Sequence, residues 1–300
     1  MAGASGFVGS ALARALCAAG HDVTALTRQP ERYRGVGTAA FVDVHDAGSC
    51  RNVLAGHDAA YYLVHSLSEA DFAEKDRVAA QSFSSAATTV GLRQIVYLGG
   101  LGRDDDDLSA HLRSRREVET ILMDSAPTTA LRAGIVIGDG GISWEILRQL
   151  VDRLPVMIAP RWVQTQTQPI ALGDAVDALV AVVGPPQAIG QVYDIGGPEP
   201  LTYRQMMLAT SHVMRRRRLV IPVPLLSPRL SSHWLRIITD VDLPTARALV
   251  ESMTNEVIVR DHRIDALVGH PTMTFPAAAA CALQAREARL RSASPDKVAA

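Results

Sequence analysis

The sequence predicts an α/β fold, a doubly wound parallel sheet with a smaller C-terminal lobe. Three observations predict it. A turn with glycines at three-residue spacing, Gly3-Ala4-Ser5-Gly6-Phe7-Val8-Gly9, runs into an amphipathic helix. Short apolar runs then alternate with helical stretches of ten or more residues, the pattern of βαβ units. After Gly138 that alternation gives way to helices separated by prolines.

The helix that starts in the glycine turn carries Phe7, Val8, Ala11, Leu12, Ala15, Leu16 and Ala19, mostly three or four apart, and Gly20 ends it. Asp22-Val23-Thr24-Ala25-Leu26 follows as a strand closed by Thr27-Arg28. Ala39 to Val44 is the next strand, with Asp43 near its end, where it can face an adenine or simply form a turn. Ala59-Ala60-Tyr61-Tyr62-Leu63-Val64 is apolar throughout, as a strand covered on both faces should be. His65-Ser66 leave it at the carboxyl edge, where open α/β sheets bind ligands.

Asp71 to Val90 has charges on one side and Ala and Phe on the other, and Gly91 stops it. Gln94 to Leu98 is the fifth strand of the pattern, followed by Gly99-Gly100. Asp104 to Asp107 reads as a solvated acidic loop, and no ligand cluster accompanies it, so no metal site is expected. Leu112 to Met123 is a second charged-faced helix. Thr129 to Ala133 and Ile135 to Gly138 are extended. In the lobe, Trp144 to Leu154 is helical, Ile170 to Val176 starts a helix with Asp174 in its first turn, and Gln191 to Gly197 returns to a strand. Arg215 to Arg218 reads as a solvated helix end. Ile221 to Pro228 is a proline-rich loop. The expected division is 1–138 plus 169–197 for the nucleotide-binding domain, 139–168 plus 198–284 for the lobe, and 285–300 as a flexible tail.

Only Met1 and Ala2 precede the glycine turn, where such a sheet places its buried central strand. The native N-terminus is therefore expected upstream of Met1.

Composition narrows the function. The chain is 48% hydrophobic, and 30 basic against 31 acidic residues give a formal net charge of −1, so nothing points to nucleic acid or an anionic membrane. The three cysteines, Cys17, Cys50 and Cys281, lack metal or redox spacing. A reducing cytoplasm is expected. No stretch reaches transmembrane length.

The glycine turn is read as a dinucleotide cradle. Residues without a Cβ let the backbone approach a pyrophosphate, and the helix's free N–H groups face its charge. Gly3, Ser5, Gly6, Phe7, Val8 and Gly9 are its members, with Val64, His65, Ser66, Gly99 and Gly100 at the neighbouring strand ends. Arg28 stands where NAD-specific sites place an acid. It favours the extra phosphate, so NADP(H) is the expected cofactor and NAD(H) the possible one.

With Tyr62-Leu63-Val64-His65-Ser66, Ile95-Val96-Tyr97-Leu98-Gly99-Gly100-Leu101, His111-Leu112-Arg113-Ser114-Arg115, Pro169-Ile170, Asp174 and Asp194-Ile195-Gly196-Gly197-Pro198, the chain resembles the atypical short-chain dehydrogenase/reductases. It is most similar to a bacterial NAD(P)H-binding branch, near the NmrA-like proteins and the nucleotide-binding accessory subunit of respiratory complex I. The resemblance implies a Rossmann domain with a substrate lobe. Enzymes of that superfamily use a Ser after the fifth strand and a Tyr-x-x-x-Lys on the next helix. Here Gly99 and Gly100 stand at the first place and His111-x-x-x-Arg115 at the second. His111 is the candidate to move a proton, and Arg115 to hold the nicotinamide ribose. Helix start and an Arg115–Glu119 pair are the structural alternatives.

The missing residues favour a protein that binds NADP(H) in a sensing or assembly role, its lobe read by a protein partner. The second reading is an NADPH-dependent oxidoreductase acting on a small apolar substrate, a quinone or conjugated carbonyl. Trp144, Trp162 and Trp234 are candidates to line its pocket, with core packing as the alternative for each. A scaffold without cofactor is the third.

Overall fold

Two residues do the work of the central strand. In the computed structural model, which describes residues 1–66, 69, 71–103, 106–222, 240 and 242–293, Ala2 pairs in parallel with Leu26 on one side and Tyr62 on the other. Its N–H donates to Tyr61 O (2.9 Å), its carbonyl accepts from Leu63 N (3.1 Å), and Met1 O accepts from Leu26 N (2.9 Å). This stub joins β1 (Thr24–Thr27) and β2 (Thr38–Phe41) to β3 (Ala59–Tyr62), β4 (Gln94–Gly100), β5 (Thr128–Ala133) and β10 (Val192–Ile195). All are parallel, in the order β2-β1-stub-β3-β4-β5-β10. The order reverses at the stub, so the carboxyl ends of β1 and β3 splay apart above the glycine turn. A groove of about 750 Å³ lies beside Met1 at the opposite end, lined by Val23, Thr24, Ala59 and Tyr61 among others.

Helices cover both faces. On one, α2 (Ala47–Leu54), α3 (Phe72–Val90) and α4 (Ala110–Ser125) bury Leu54, Ala79, Phe83, Ala87, Val118 and Leu122 against Tyr62, Ile95 and Tyr97. Each such large side chain removed from water contributes about 1.5–3 kcal/mol. On the other, α1 (Phe7–Ala18) and α6 (Leu172–Ala181) bury Leu12, Leu16, Ala175 and Leu179 against Tyr61, Val96 and Leu131. Gly91 ends α3 in the left-handed conformation (φ 68°), which glycine adopts without a Cβ penalty. Ser109 caps α4, its hydroxyl accepting from Leu112 N at 3.3 Å.

A third core belongs to the lobe. It gathers Trp144 and Leu150 of α5 (Ile142–Arg153), Met157 of β7 (Val156–Ala159), Trp162, Met206 of α7 (Tyr203–Val213), Val220 of β12 (Leu219–Pro222), Val250 of α8 (Leu243–Ser252) and Phe275 of the last helix (Phe275–Ala293). α7 opens with a full capping box, Thr202 with Gln205. Among the described residues no helix is long and apolar enough to cross a membrane.

Several expectations change. Residues 285–293, expected as tail, continue the last helix, and Arg289 ties it to Asp139 at 2.7 and 2.9 Å. Ile170 and Ala171 do not begin a helix; they form β9, paired with Val136 and Ile137 of β6. Asp174 does sit in the first turn of α6, and its carboxylate accepts from Met273 N at 2.7 Å. The basic run follows the end of α7: Arg216 pairs with Asp152 (3.3 Å), and Arg218 donates to the Val151 and Asp152 carbonyls at the end of α5. Trp234, Pro224 to Pro228 and Asp104 lie outside the described residues.

Candidate active site

The glycine turn has the shape a pyrophosphate needs. Gly3 adopts φ 85°. A Cβ on Gly9 would stand 2.0 Å from Gly3 O, so α1 packs onto the turn at a distance only glycine permits. Gly6 is the N-cap of α1 and supplies no side-chain acceptor. The helix's first N–H groups are therefore left for a ligand, and Ser5 and Gly6 are exposed beside them. The residues present therefore fit a dinucleotide phosphate.

Beside it opens a cleft of about 480 Å³ between the sheet's carboxyl edge and the lobe. It brings together Phe7, Val8, His65, Gly99, Gly100, His111 and Arg115 from the sequence-derived set. The lobe supplies Ile142, Ser143, Tyr203, Leu249, Ser252, Met253 and Val257, which sequence reasoning missed. Phe7 forms part of the wall: Cβ atoms on Gly138 or Gly141 would come within 3.0 Å of its ring. Gly99 and Gly100 are packed positions too, since a Cβ would meet Tyr97 and Leu112 at 2.9 Å.

Arg115 is 8% exposed and held by backbone. Its guanidinium donates to Val64 O at 3.2 Å and to Leu98 O, bridging the ends of β3 and β4. The expected alternative partner, Glu119, is engaged elsewhere, by Arg132 at 2.6 and 3.0 Å and by Arg116 at 3.7 Å. Both cleft histidines are held neutral. Burial and then the Arg115 charge lower His65 to about 4. Burial, Arg115 and His65 together lower His111 to about 3. His65 has considerable open surface, because it stands in the mouth of the cleft, yet protein surrounds its ring on most sides. Ser66 turns its N–H to Asp76 Oδ1 at 2.8 Å. Asp76 is 4% exposed, and burial raises its carboxyl.

The remaining residues form a second group at the far end. Arg28 is exposed just past β1 and lies close enough to Asp43 for its charge to favour the carboxylate. Asp43 closes its own turn, accepting from His45 N at 3.0 Å and contacting His45 Nδ1 at 3.1 Å. His45 accordingly is the first cause of its lowered pKa.

A doubly wound sheet, a bare helix N-terminus in a glycine turn at the switch point, and a cleft shared with a C-terminal lobe together define a Rossmann-type fold of the NAD(P)-binding kind. Residues 3–150 match the NAD(P)H-binding family model. Solved structures share the whole fold. A nucleoside-diphosphate-sugar epimerase from Staphylococcus aureus superposes with a TM-score of 0.76 at 15% identity, over 93% of this chain and 98% of that one. An NADPH-dependent quinone oxidoreductase from Escherichia coli, complexed with NADPH, gives 0.75 at 21%, over 93% and 97%. A Citrobacter triphenylmethane reductase complexed with NADP(H) gives 0.75 at 16%, over 93% and 97%. No curated protein matches the sequence.

Proposed function

We propose that the protein is an NADPH-dependent reductase of a small apolar acceptor, a quinone or conjugated carbonyl. The observation that carries this reading is the single cleft in which the edge of the nucleotide cradle, Phe7 and Val8, faces apolar lobe residues such as Ile142, Leu249 and Met253. A dinucleotide held at the glycine turn by its pyrophosphate would direct its nicotinamide end into that cleft. NADPH, when bound, supplies a hydride, and the reduced acceptor takes one proton from water.

The chain's own residues bind and orient. Gly3, Ser5, Gly6 and Gly9 hold the phosphates, and Arg28 selects NADP(H) over NAD(H) through the extra phosphate. Asp43 serves the adenosine end of the site through the turn it closes. Gly99 and Gly100 shape the floor of the cleft, and Val64 and Ser66 flank His65 at the end of β3. Arg115 is a positioning residue that fixes the ends of β3 and β4. His111 and His65, neutral at pH 7, offer hydrogen bonds rather than charge. An acceptor that is already electrophilic needs no stronger acid, which fits a site lacking the Tyr and Lys of carbonyl-reducing relatives. The unpaired Cys17, Cys50 and Cys281 suit the reducing cytoplasm in which we place it.

The sensing or assembly reading has one observation in its favour: the positions of the usual acid and relay hold an uncharged histidine and a backbone-bound arginine. Loss of NADPH absorbance on adding 2-methyl-1,4-naphthoquinone or an enone to purified protein decides between them. Quinone-dependent oxidation supports the reductase. Tight NADPH binding with no oxidation by any member of a broad quinone and enone panel rejects it in favour of the binding role.

A further inference from the structure

The cleft has a second chamber that no cofactor would fill. Behind it, within the lobe core, lies a narrow recess of about 20 Å³ lined by Ile146, Leu147, Leu150, Met206, Met207 and Trp162. That is room for about one water-sized group, and the lining is almost wholly apolar. Two methionines in its wall, and Met253 at its entrance, can change rotamer to lengthen it. Ile135, Ser143, Tyr203 and Met253 belong to both cavities and so form the neck between them.

The neck carries two hydroxyl-bearing residues that also line the cleft. Tyr203 is 5% exposed, yet its hydroxyl has no hydrogen-bond partner among the described residues. Ser143 Oγ likewise has none. Beyond them Trp162, 8% exposed and edge-on to Tyr203 with ring centroids 5.7 Å apart, has a buried Nε1 without a partner. A buried donor left unmade, as Trp162 Nε1 is, costs free energy that packing alone does not recover. The two neck hydroxyls line the cleft as well as the recess, so they are placed to donate to an oxygen atom of a ligand in it. The position of Tyr203 is well fixed, because it is the first residue of α7, next to the Thr202–Gln205 capping box.

We propose that this neck is the acceptor subsite: Tyr203 Oη and Ser143 Oγ donate to one carbonyl oxygen of a flat conjugated ring lying in the cleft, and the recess takes an alkyl substituent of that ring. The assignment rests on the reductase reading for the identity of the ligand, and it adds the two hydroxyls and the preference for an alkylated ring. A phenol hydroxyl gives direction to an uncharged carbonyl without requiring a charged acid. The recess rewards a methyl or longer chain through burial alone, about 0.8 kcal/mol per CH₂, or roughly fourfold in affinity for one group.

Binding is measured apart from turnover, by calorimetry on the full chain saturated with NADP⁺. The probes are 1,4-naphthoquinone and its 2-methyl derivative. The methylated quinone should bind at least about threefold more tightly. Tyr203→Phe, which removes one oxygen and keeps the ring, should weaken its binding roughly fivefold to tenfold, and Ser143→Ala by a smaller factor. In steady-state assays Tyr203→Phe should raise KM for the quinone with little change in KM for NADPH. Equal binding of the two quinones, unchanged affinity in both variants, or no quinone binding at all would overturn the subsite. Binding that discriminates as stated, without NADPH oxidation, upholds the subsite and removes the reductase reading. Turnover with affinities untouched by either variant does the reverse.

Discussion

Tyr97 and Arg115 hold one another twice. The Tyr97 hydroxyl donates to Arg115 O at 2.9 Å, while the Arg115 guanidinium lies over the Tyr97 ring, 4.8 Å from its centroid. Tyr97 belongs to β4, an interior strand of the sheet, and is wholly buried. The pair therefore pins α4 to the sheet and aims the guanidinium at the carbonyls of Val64 and Leu98. Its charge is then fixed beside both cleft histidines.

Arg115→Met tests that arrangement. It keeps most of the side chain's bulk and removes the charge and both donors. Two charge-assisted hydrogen bonds and a cation–π contact are lost, so stability to urea should fall by about 2–4 kcal/mol. His65 and His111 should both titrate higher, because Arg115 contributes to the lowering of each. NMR titration of the imidazole C–H signals reads this directly. Histidine pKa values that do not move would take Arg115 out of their causes.

The same histidines set a stability trend with pH. In the folded protein they stay neutral down to about 4 and about 3, whereas in the unfolded chain they take up protons near 6.5. Below that value the unfolded state binds more protons, so stability should fall as pH drops from about 6.5 toward 4. His111→Gln should flatten the fall. A midpoint of urea unfolding that stays level from pH 7 to 4.5 would show that the cleft admits the proton in the native state.

Much of this site was readable in the residues, for a physical reason. The glycine turn, the apolar run before His65 and the Gly99-Gly100 pair are local patterns, and the sheet topology brings every such strand end to one edge. Asp76 was also legible in principle. It stands in the buried stripe of α3 with Ala79, Ala80, Phe83 and Ala87, and a carboxylate at such spacing marks a polar duty, here the Ser66 N–H. The lobe residues were not legible. Ser143, Tyr203 and Met253 come from three separate segments, each with the periodicity of ordinary helix, and only tertiary packing makes them neighbours. The tail failed for a related reason: Arg286 to Arg291 looks polar and unsupported until Asp139, far away in sequence, supplies the partner for Arg289.

Cofactor choice is tested at Arg28. NADP(H) should bind more tightly than NAD(H), and Arg28→Ala should shrink the preference roughly tenfold or more, the worth of a charge-assisted contact to phosphate. NADH affinity should be almost unaffected. Calorimetry with both cofactors checks it. Equal affinities in the unaltered protein would take Arg28 out of the site.

Gly9→Ala should do the opposite, weakening NADPH and NADH together. The added Cβ would lie 2.0 Å from Gly3 O and 2.8 Å from Gly3 C. Both are backbone atoms and cannot rotate away. Either α1 slides outward or the turn opens, and each movement carries off the N–H groups of Phe7 and Val8 assigned to the phosphates in the proposed site. Strain of this kind costs about 1–3 kcal/mol, and cofactor affinity should fall about tenfold or more with it. Gly173→Ala is the matching control. It too lies in a helix, but nothing stands within 4 Å of its Cβ position, so the same substitution there should stabilise by about 0.4–1 kcal/mol and leave both affinities alone. If Gly9→Ala lowers the melting temperature while NADPH still binds at full strength, the turn packs helix against sheet and the phosphates lie elsewhere.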